Sequence, residues 1–417
     1  MSVQNQHVDV LVIGAGPTGS TAALHAADAG FDTLLIDAAT FPRDKTCGDG
    51  LTPRAIHQLT RLGLAERVTG NYHNNGLKLH GYGGSVTAPW PDGYYGTVGS
   101  AMPRTRFDAL LVDAAVERGV SLWQGATAAD VEFDGARLAG VVVKHAGVEV
   151  TVRAKYVLVA DGVRSTFGKL LGRQWHRGEV YGIAARSYCS SPRHDDPWMH
   201  SHVELRDVDG GIQPGYGWIF PLGDGDVNLG CGALSTDARP AKINTKKLLQ
   251  FYAEQQREDW SLGKPREITS ALLPMGGAVS NVAGRNWMLL GDAAACVNAL
   301  NGEGIDYGME TAELAVQLLH EGKDFTLLWP DVLRANYGEA FLLARTAARL
   351  LTYPNFLPLV GPLGLRGPVG ATLMPAAARL MGNLITDEDR DLLARLWRLA
   401  GRGMSAVRRD TPLWSAG

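Results

Sequence analysis

Val8-Asp9-Val10-Leu11-Val12-Ile13 runs directly into Gly14-Ala15-Gly16-Pro17-Thr18-Gly19, and then into an alanine-rich stretch that closes at Gly30. The first six residues are short, β-branched and apolar, the pattern of a strand buried on both faces. The spacing predicts a helix over 17–29, and Thr33 to Ile36 is a second buried strand ending in Asp37. Together they make one βαβ unit within the first forty residues. In that context the three glycines have separate duties. Gly14 allows the tight turn, Gly16 lets backbone approach a pyrophosphate, and Gly19 packs helix on strand. Pro17 opens the helix, whose free N–H groups and positive dipole end suit phosphate. Asp37 stands where a carboxylate accepts a ribose 2′-OH, and it would repel a 2′-phosphate, which argues against NADP at this site. NAD and FAD share such a turn, so this unit alone does not separate them.

The rest of the chain narrows the possibilities. Its 417 residues are enough for two domains. A net charge of −3, with no Lys/Arg block, excludes a phosphate-tracking nucleic-acid binder. Cys47, Cys189, Cys231 and Cys296 show no CxxC or metal-ligand spacing, which suits a reducing cytoplasm and no metal site. The polar start, Met1 to His7, lacks signal-peptide organisation, and no run reaches the ~18 apolar residues of a membrane span.

Further buried strands are expected at Tyr156 to Val159, before Asp161-Gly162, and at Trp287 to Leu290, before Gly291-Asp292. Helical spacing covers Leu51 to Leu64, Arg106 to Arg118 and Ile305 to Leu319. From Val180 to Leu273 the pattern changes to short strands, including His202 to Leu205, Gly217 to Phe220 and Val227 to Cys231, which read as an antiparallel sheet. After about Pro330 the chain is helical with proline breaks at Pro354, Pro358, Pro362, Pro368 and Pro375. Because the cofactor-type strands recur at the start, the middle and two-thirds of the way along, the domains must be interleaved.

With Gly291-Asp292, Asp161-Gly162 and Arg104-Thr-Arg-Phe-Asp108, the chain resembles FAD enzymes of the aromatic-hydroxylase class. The resemblance implies Asp292 at the ribityl chain, Asp161 near the pyrophosphate and Arg104 on the cofactor. That class ends its Asp-Gly segment with an arginine, whereas here the nearest base after Ser165 is Lys169. Pro42-Arg43-Asp44-Lys45-Thr46-Cys47-Gly48-Asp49-Gly50 and Tyr216-Gly-Trp218-Ile-Phe220-Pro221, followed by Gly230-Cys-Gly232, resemble two signatures of the geranylgeranyl reductase family. The likeness is strongest to the branch that saturates one isoprene unit of menaquinone, carried by Trp287 to Cys296, Asn301 to Gly308 and Asp195 to Trp198. The implied fold is α/β: a Rossmann-like FAD-binding domain (1–72, 100–175, 276–330) interleaved with an antiparallel-sheet substrate domain (73–99, 176–275), followed by C-terminal helices (331–417). The implied cofactor is FAD and the implied substrate a polyprenyl quinone or other prenyl lipid. Geranylgeranyl diphosphate and archaeal-type prenyl lipids remain alternatives, as does a monooxygenase or halogenase on the same fold. A non-catalytic flavin carrier is disfavoured, since a site organised around the ring implies chemistry there.

The residues themselves suggest roles. Gly302 and Gly304, just before Ile305, either open a helix or aim its amides and dipole at the flavin's pyrimidine end, favouring reduced flavin. Arg43, Gly48 and Gly50 join the cofactor set with Gly291. Cys47 is either an acid with a perturbed thiol or a packed wall beneath the ring. Tyr216, Trp218 and Phe220 share one strand face and serve either as core or as the lining of an apolar cavity. Reduction of an isolated alkene needs a proton beside the hydride; Cys47, Tyr216, Tyr307 or a water could give it. No second glycine-turn unit exists for a resident nicotinamide, so electrons come from transient reduced nicotinamide, a ferredoxin or a reductase. The C-terminal helices, with Trp397, Arg398 and a basic end at Arg402, Arg408 and Arg409, are either interior or interfacial; the expectation is peripheral attachment on the cytoplasmic side of the cell membrane.

Overall fold

The computed structural model describes residues 4–366, 376, 379–380, 384–385, 389, 391–407 and 413–415; Pro368, Pro375, Arg408 and Arg409 lie outside the described residues. Strand β1 (Gln4–Ile13), helix α1 (Pro17–Asp28) and strand β2 (Thr33–Asp37) form the expected unit. β1 pairs in parallel with β2 and with strand Val148–Val159. That strand pairs in parallel with Trp287–Leu289, and β2 with Ser121–Gln124, giving an eight-stranded sheet with a parallel centre. Val10, Leu11, Val12, Leu35 and Ile36 are completely buried, which is why these runs are apolar without alternation. Every one of the parallel strands delivers its C-terminal end to the same edge, the place where open α/β sheets bind ligands.

A second, seven-stranded sheet runs in the order Arg266–Pro274, Tyr181–Ser190, Asp226–Ser235, Gly215–Pro221, Met199–His202, Gly76–Gly81, Gly84–Pro89. Its pairs are antiparallel except Met199–His202 with Gly76–Gly81, which is parallel. The chain therefore enters this sheet early, leaves for the first sheet, returns, and only then adds Trp287–Leu289 to the first sheet. Helix Thr245–Gln255 covers one face, burying Leu248, Leu249 and Tyr252 against Ile219, Leu229 and Cys231. The opposite face looks toward the parallel sheet.

Several boundaries differ from expectation for physical reasons. The strand expected over 202–205 lies earlier, at Met199–His202, because Val203 to Leu205 turn away after the pairing with Gly217 ends. The 51–64 helix is shorter, Pro53–Arg61, with Pro53 supplying its first turn. Pro330 does not begin the last helical region. Helix Phe325–Leu351 starts earlier, capped by the Asp324 carboxylate accepting from Thr326 N, and carries Pro330 inside it. Likewise Pro362 lies within helix Phe356–Leu365 and does not break it. Among the described residues no helix is long and apolar enough to cross a membrane.

Candidate active site

A cavity of about 1020 Å³ opens between the two sheets, from the glycine turn at one end to Tyr216, Trp218 and Phe220 at the other. At the turn, Gly14 has φ +98°, and a Cβ there would fall 2.4 Å from Ala160 O. Gly19 carries no space at all, since its Cβ would meet Gly14 O at 1.7 Å; it packs helix on strand and does not line the cavity. Gly16 caps α1 without any side-chain hydrogen bond, Pro17 follows, and the first turn holds no acid. The helix thus offers open amides and an uncompensated positive end. Arg43 and Arg104 stand over this point, their Nη2 atoms 3.6 and 3.7 Å from where a Gly16 Cβ would sit. Asp37 lies on the wall, its carboxylate accepting Ala15 N at 2.7 Å and Ala39 N at 2.8 Å.

Asp108, which the sequence reading did not single out, organises both arginines. It is fully buried and accepts Arg104 Nε at 2.6 Å and Nη2 at 2.8 Å, while Arg43 Nη1 lies 2.7 Å away. Asp161 lines the cavity as well, and Ser165 Oγ and Phe167 N donate to its two oxygens at 2.7 and 2.8 Å, so it also ties the loop after Val148–Val159. The arginine missing after Ser165 is supplied four residues beyond Lys169 by Arg173. It lies on the cavity wall, donates to Ala293 O and faces both Asp161 and Asp292.

Asp292 follows Gly291, which sits outside the cavity against Thr18. The Asp292 carboxylate accepts no hydrogen bond from the described residues, and a Cβ on Gly304 would come within 2.9 Å of it. Burial pushes its carboxyl up, opposed by Lys45, Arg104 and Arg173. Gly302, with φ +77°, Gly304 and Ile305 line the same end of the cavity. Between the glycines lies Glu303, also missed by the sequence reading. Its Oε1 is buried without a partner, and burial together with Asp306 pushes its carboxyl far above the usual range.

Cys47 is half-buried on the cavity wall; its Sγ accepts Asp49 N at 3.3 Å. Burial pushes the thiol up, with Arg104 pulling the other way. Gly48 and Gly50 press this loop onto the aromatic strand and its neighbour, where a Cβ on Gly48 would meet Phe220 at 3.3 Å and one on Gly50 would meet Met199 Cε at 2.3 Å. Tyr216, Trp218 and Phe220 all line the cavity, with ring centroids 5.8 and 6.2 Å apart along the strand. Trp218 Nε1 donates to Asn228 Oδ1 at 2.9 Å, and Tyr216 OH donates to Asn301 O at 2.7 Å. The second bond ties the aromatic strand to the Gly302–Gly304 turn. Tyr307 is elsewhere. It is buried edge-on against Tyr337 and Phe341 beneath the Arg54 guanidinium, off the cavity, because two residues, about 200° around the helix, carry it from Ile305 to the opposite face of Ile305–Leu319.

These residues fit FAD. A glycine cradle with open amides and two arginines suits a pyrophosphate, Asp37 a ribose, and the unpartnered Asp292 a polyhydroxyl chain. The FAD binding domain family model matches residues 7–322. A menaquinone reductase of Mycolicibacterium smegmatis is 50% identical over 411 residues, covering 98% of this chain and 99% of that protein. A menaquinone reductase of Mycobacterium tuberculosis is 51% identical over 413 residues, covering 99% of this chain and all of that protein, or 100%. Among solved structures, a geranylgeranyl bacteriochlorophyll reductase-like protein of Thermoplasma acidophilum superposes with a TM-score of 0.75 at 23% identity, covering 89% of this chain and 96% of the other. Cavity, cradle and near-full-length likeness converge: the chain belongs to the geranylgeranyl reductase family of FAD-dependent oxidoreductases.

Proposed function

We propose that this protein hydrogenates a C=C bond of a polyprenyl chain, and that its substrate is menaquinone, of which one isoprene unit is reduced. The observation carrying this reading is the continuity of one cavity from the nucleotide cradle to the apolar wall of Trp218 and Phe220, in a chain half identical to menaquinone reductases over its full length. Bound FAD supplies a hydride when reduced. The chain's own residues do the rest. Arg43, Arg104 and the α1 amides hold the pyrophosphate, Asp37 the ribose and Asp292 the ribityl chain. Gly302, Gly304 and Ile305 present the positive end of their helix to the ring. Tyr216, Trp218 and Phe220 exclude water and align an alkene, with Cys47 closing the wall beside them. We assign the seven-stranded sheet, drawn from 73–99 and 176–275, as the substrate unit, and the parallel sheet as the cofactor unit.

A polyprenyl quinone resides in the bilayer, so the enzyme must meet that surface. Leu359 and Leu363 on helix Phe356–Leu365 are 74% and 68% exposed, and Leu392, Leu396 and Leu399 form an exposed stripe on helix Leu392–Val407. The latter helix carries Arg395, Arg398 and Arg402 and no acid, a pattern suited to an anionic interface. We place the protein at the cytoplasmic face of the cell membrane, fed by reduced nicotinamide, a ferredoxin or a reductase. The substrate assignment is tested by offering reduced enzyme menaquinone, geranylgeranyl diphosphate or an archaeal-type prenyl ether lipid. Hydrogenation of menaquinone at the highest rate is expected; preference for the diphosphate would overturn the assignment.

A further inference from the structure

Asp49 lies two residues beyond Cys47 and is 1% exposed, with φ +60°. One carboxyl oxygen is held on both sides: Oδ2 accepts Tyr188 OH at 2.7 Å and Asn228 Nδ2 at 2.8 Å. The other, Oδ1, is buried and has no hydrogen-bond partner among the described residues. The same Asn228 also donates to Cys47 O at 2.9 Å and accepts Trp218 Nε1 at 2.9 Å. A single network therefore fixes the carboxyl, the thiol-bearing loop and the cavity-wall indole, and Asp49, Cys47 and Trp218 line one cavity. Nothing in the FAD cradle uses this carboxyl.

We propose that Asp49 is the proton donor of the reduction, releasing a proton from Oδ1 to one carbon of the alkene; this rests on the prenyl-reductase reading above. An unpartnered carboxylate oxygen in a buried wall is costly, whereas a neutral O–H there is much less so. The groups facing it are Arg104 from helix Arg104–Glu117, Arg186 and Tyr188 from strand Tyr181–Ser190, and Cys47 on its own loop. Burial outweighs the two cations and the two hydrogen bonds and pushes the carboxyl up to about 6. The neighbouring thiol is pushed the other way from usefulness, above its ordinary range near 9.0. With the two acids side by side, the one that titrates near working pH is the effective donor. In the step, the Asp49 O–H bond breaks as the π pair forms a C–H bond. A hydride from reduced flavin bonds to the adjacent carbon, the flavin is oxidised by two electrons, and the carboxylate left behind is stabilised by Tyr188, Asn228, Arg186 and Arg104.

The test is rapid-quench single turnover of dithionite-reduced holoenzyme with a short-tailed menaquinone, scored by mass for hydrogenation of the tail, because the quinone ring can accept electrons by itself. The expected rate falls as pH rises through Asp49's titration. Asp49→Asn, which keeps an acceptor for Tyr188, should lose that pH dependence and about 10²–10⁴-fold in rate while retaining FAD. Cys47→Ala should keep the pH limb. A limb that survives Asp49→Asn and vanishes in Cys47→Ala overturns the proposal, as does a profile flat up to the thiol range. Infrared titration of the holoenzyme without substrate reads Asp49 independently of turnover. A protonated carboxyl band that titrates near pH 6 and is missing in Asp49→Asn is expected; its absence from the wild type refutes the assignment. If no prenyl lipid is hydrogenated by wild type at any pH, the substrate reading fails while the infrared band still decides on Asp49.

Discussion

Replacing Asp108 with asparagine tests whether the arginines above the glycine turn are set for a cofactor phosphate. The wild-type carboxylate is fully buried and serves Arg104 twice and Arg43 once, within 2.6–2.8 Å. Asp108→Asn keeps the shape and removes the charge, stranding two guanidinium groups that are 18% and 9% exposed. Removing one partner of a buried ion pair costs about 3–5 kcal/mol, so the apoprotein should melt roughly 5–10 °C lower. FAD changes the sum. Both guanidiniums lie within 3.7 Å of the Gly16 Cβ position, where a doubly negative pyrophosphate would sit. One charge pair at 4 Å is worth about 4 kcal/mol at an effective dielectric of 20, so recovery of even half of one pair returns about 2 kcal/mol. The deficit of the variant should therefore shrink by roughly two-fifths to two-thirds when FAD is bound. Differential scanning fluorimetry of apo and FAD-loaded forms, wild type and variant, gives the four melting temperatures required. A deficit of the same size with and without FAD would refute the placement of these arginines on the pyrophosphate.

Gly230→Ala would drive a methyl group to 2.1 Å from Trp218 Cζ2 and 2.6 Å from Ala185 O. It should retain FAD and lose at least about tenfold in prenyl reduction as the indole leaves the wall; an unchanged rate would remove Trp218 from substrate alignment. His200 and His202 pack beneath the second sheet with His80, stacked 4.7–5.1 Å apart, and burial pushes them down to about 4 and about 3. The unfolded chain binds protons more readily, so stability is complete above about pH 6.5 and falls as pH drops toward 4, by about 2 kcal/mol for each of these two at pH 5. Urea unfolding followed by circular dichroism would contradict this if the unfolding midpoint were the same at pH 7 and pH 5. Serine at Leu359, Leu363, Leu396 and Leu399 together should reduce co-sedimentation with anionic vesicles more than tenfold, at about 1 kcal/mol or more for each leucine that enters the interface. Equal sedimentation of variant and wild type would discard that face.

What was legible in the sequence was local. The apolar runs of β1, β2 and Trp287–Leu289 announce a doubly covered parallel sheet, and Gly14, Gly16 and Asp37 fall at spacings that only a strand–turn–helix–strand unit explains. Asp292 was named by the family resemblance that its Gly-Asp pair, just beyond such a strand, carries. The residues that escaped owe their character to distant partners. Asp108 looks like an ordinary helix acid until Arg43 arrives from another loop. Asp49 becomes unusual only when Tyr188 and Asn228, far along the chain, close over it. Glu303 was hidden between two glycines that drew the attention; a carboxyl inserted in a glycine-rich helix start was the available signal. Tyr307 failed for the opposite reason, since closeness in sequence to Gly304 does not fix which helix face a side chain takes. Arg173 shows that a charge missing from its usual place in a motif can be supplied from just beyond it.

The most direct measurement is anaerobic single turnover of dithionite-reduced, FAD-loaded enzyme with menaquinone in deuterated water, followed by mass analysis of the recovered quinone. The account requires a tail saturated at one double bond, with two solvent deuteriums on adjacent carbons, since dithionite gives only electrons and flavin N5 takes its hydrogen from solvent, and one equivalent of flavin oxidised. A tail of unchanged mass beside flavin that stays reduced would contradict it, as would a product hydroxylated or halogenated only after oxygen is admitted.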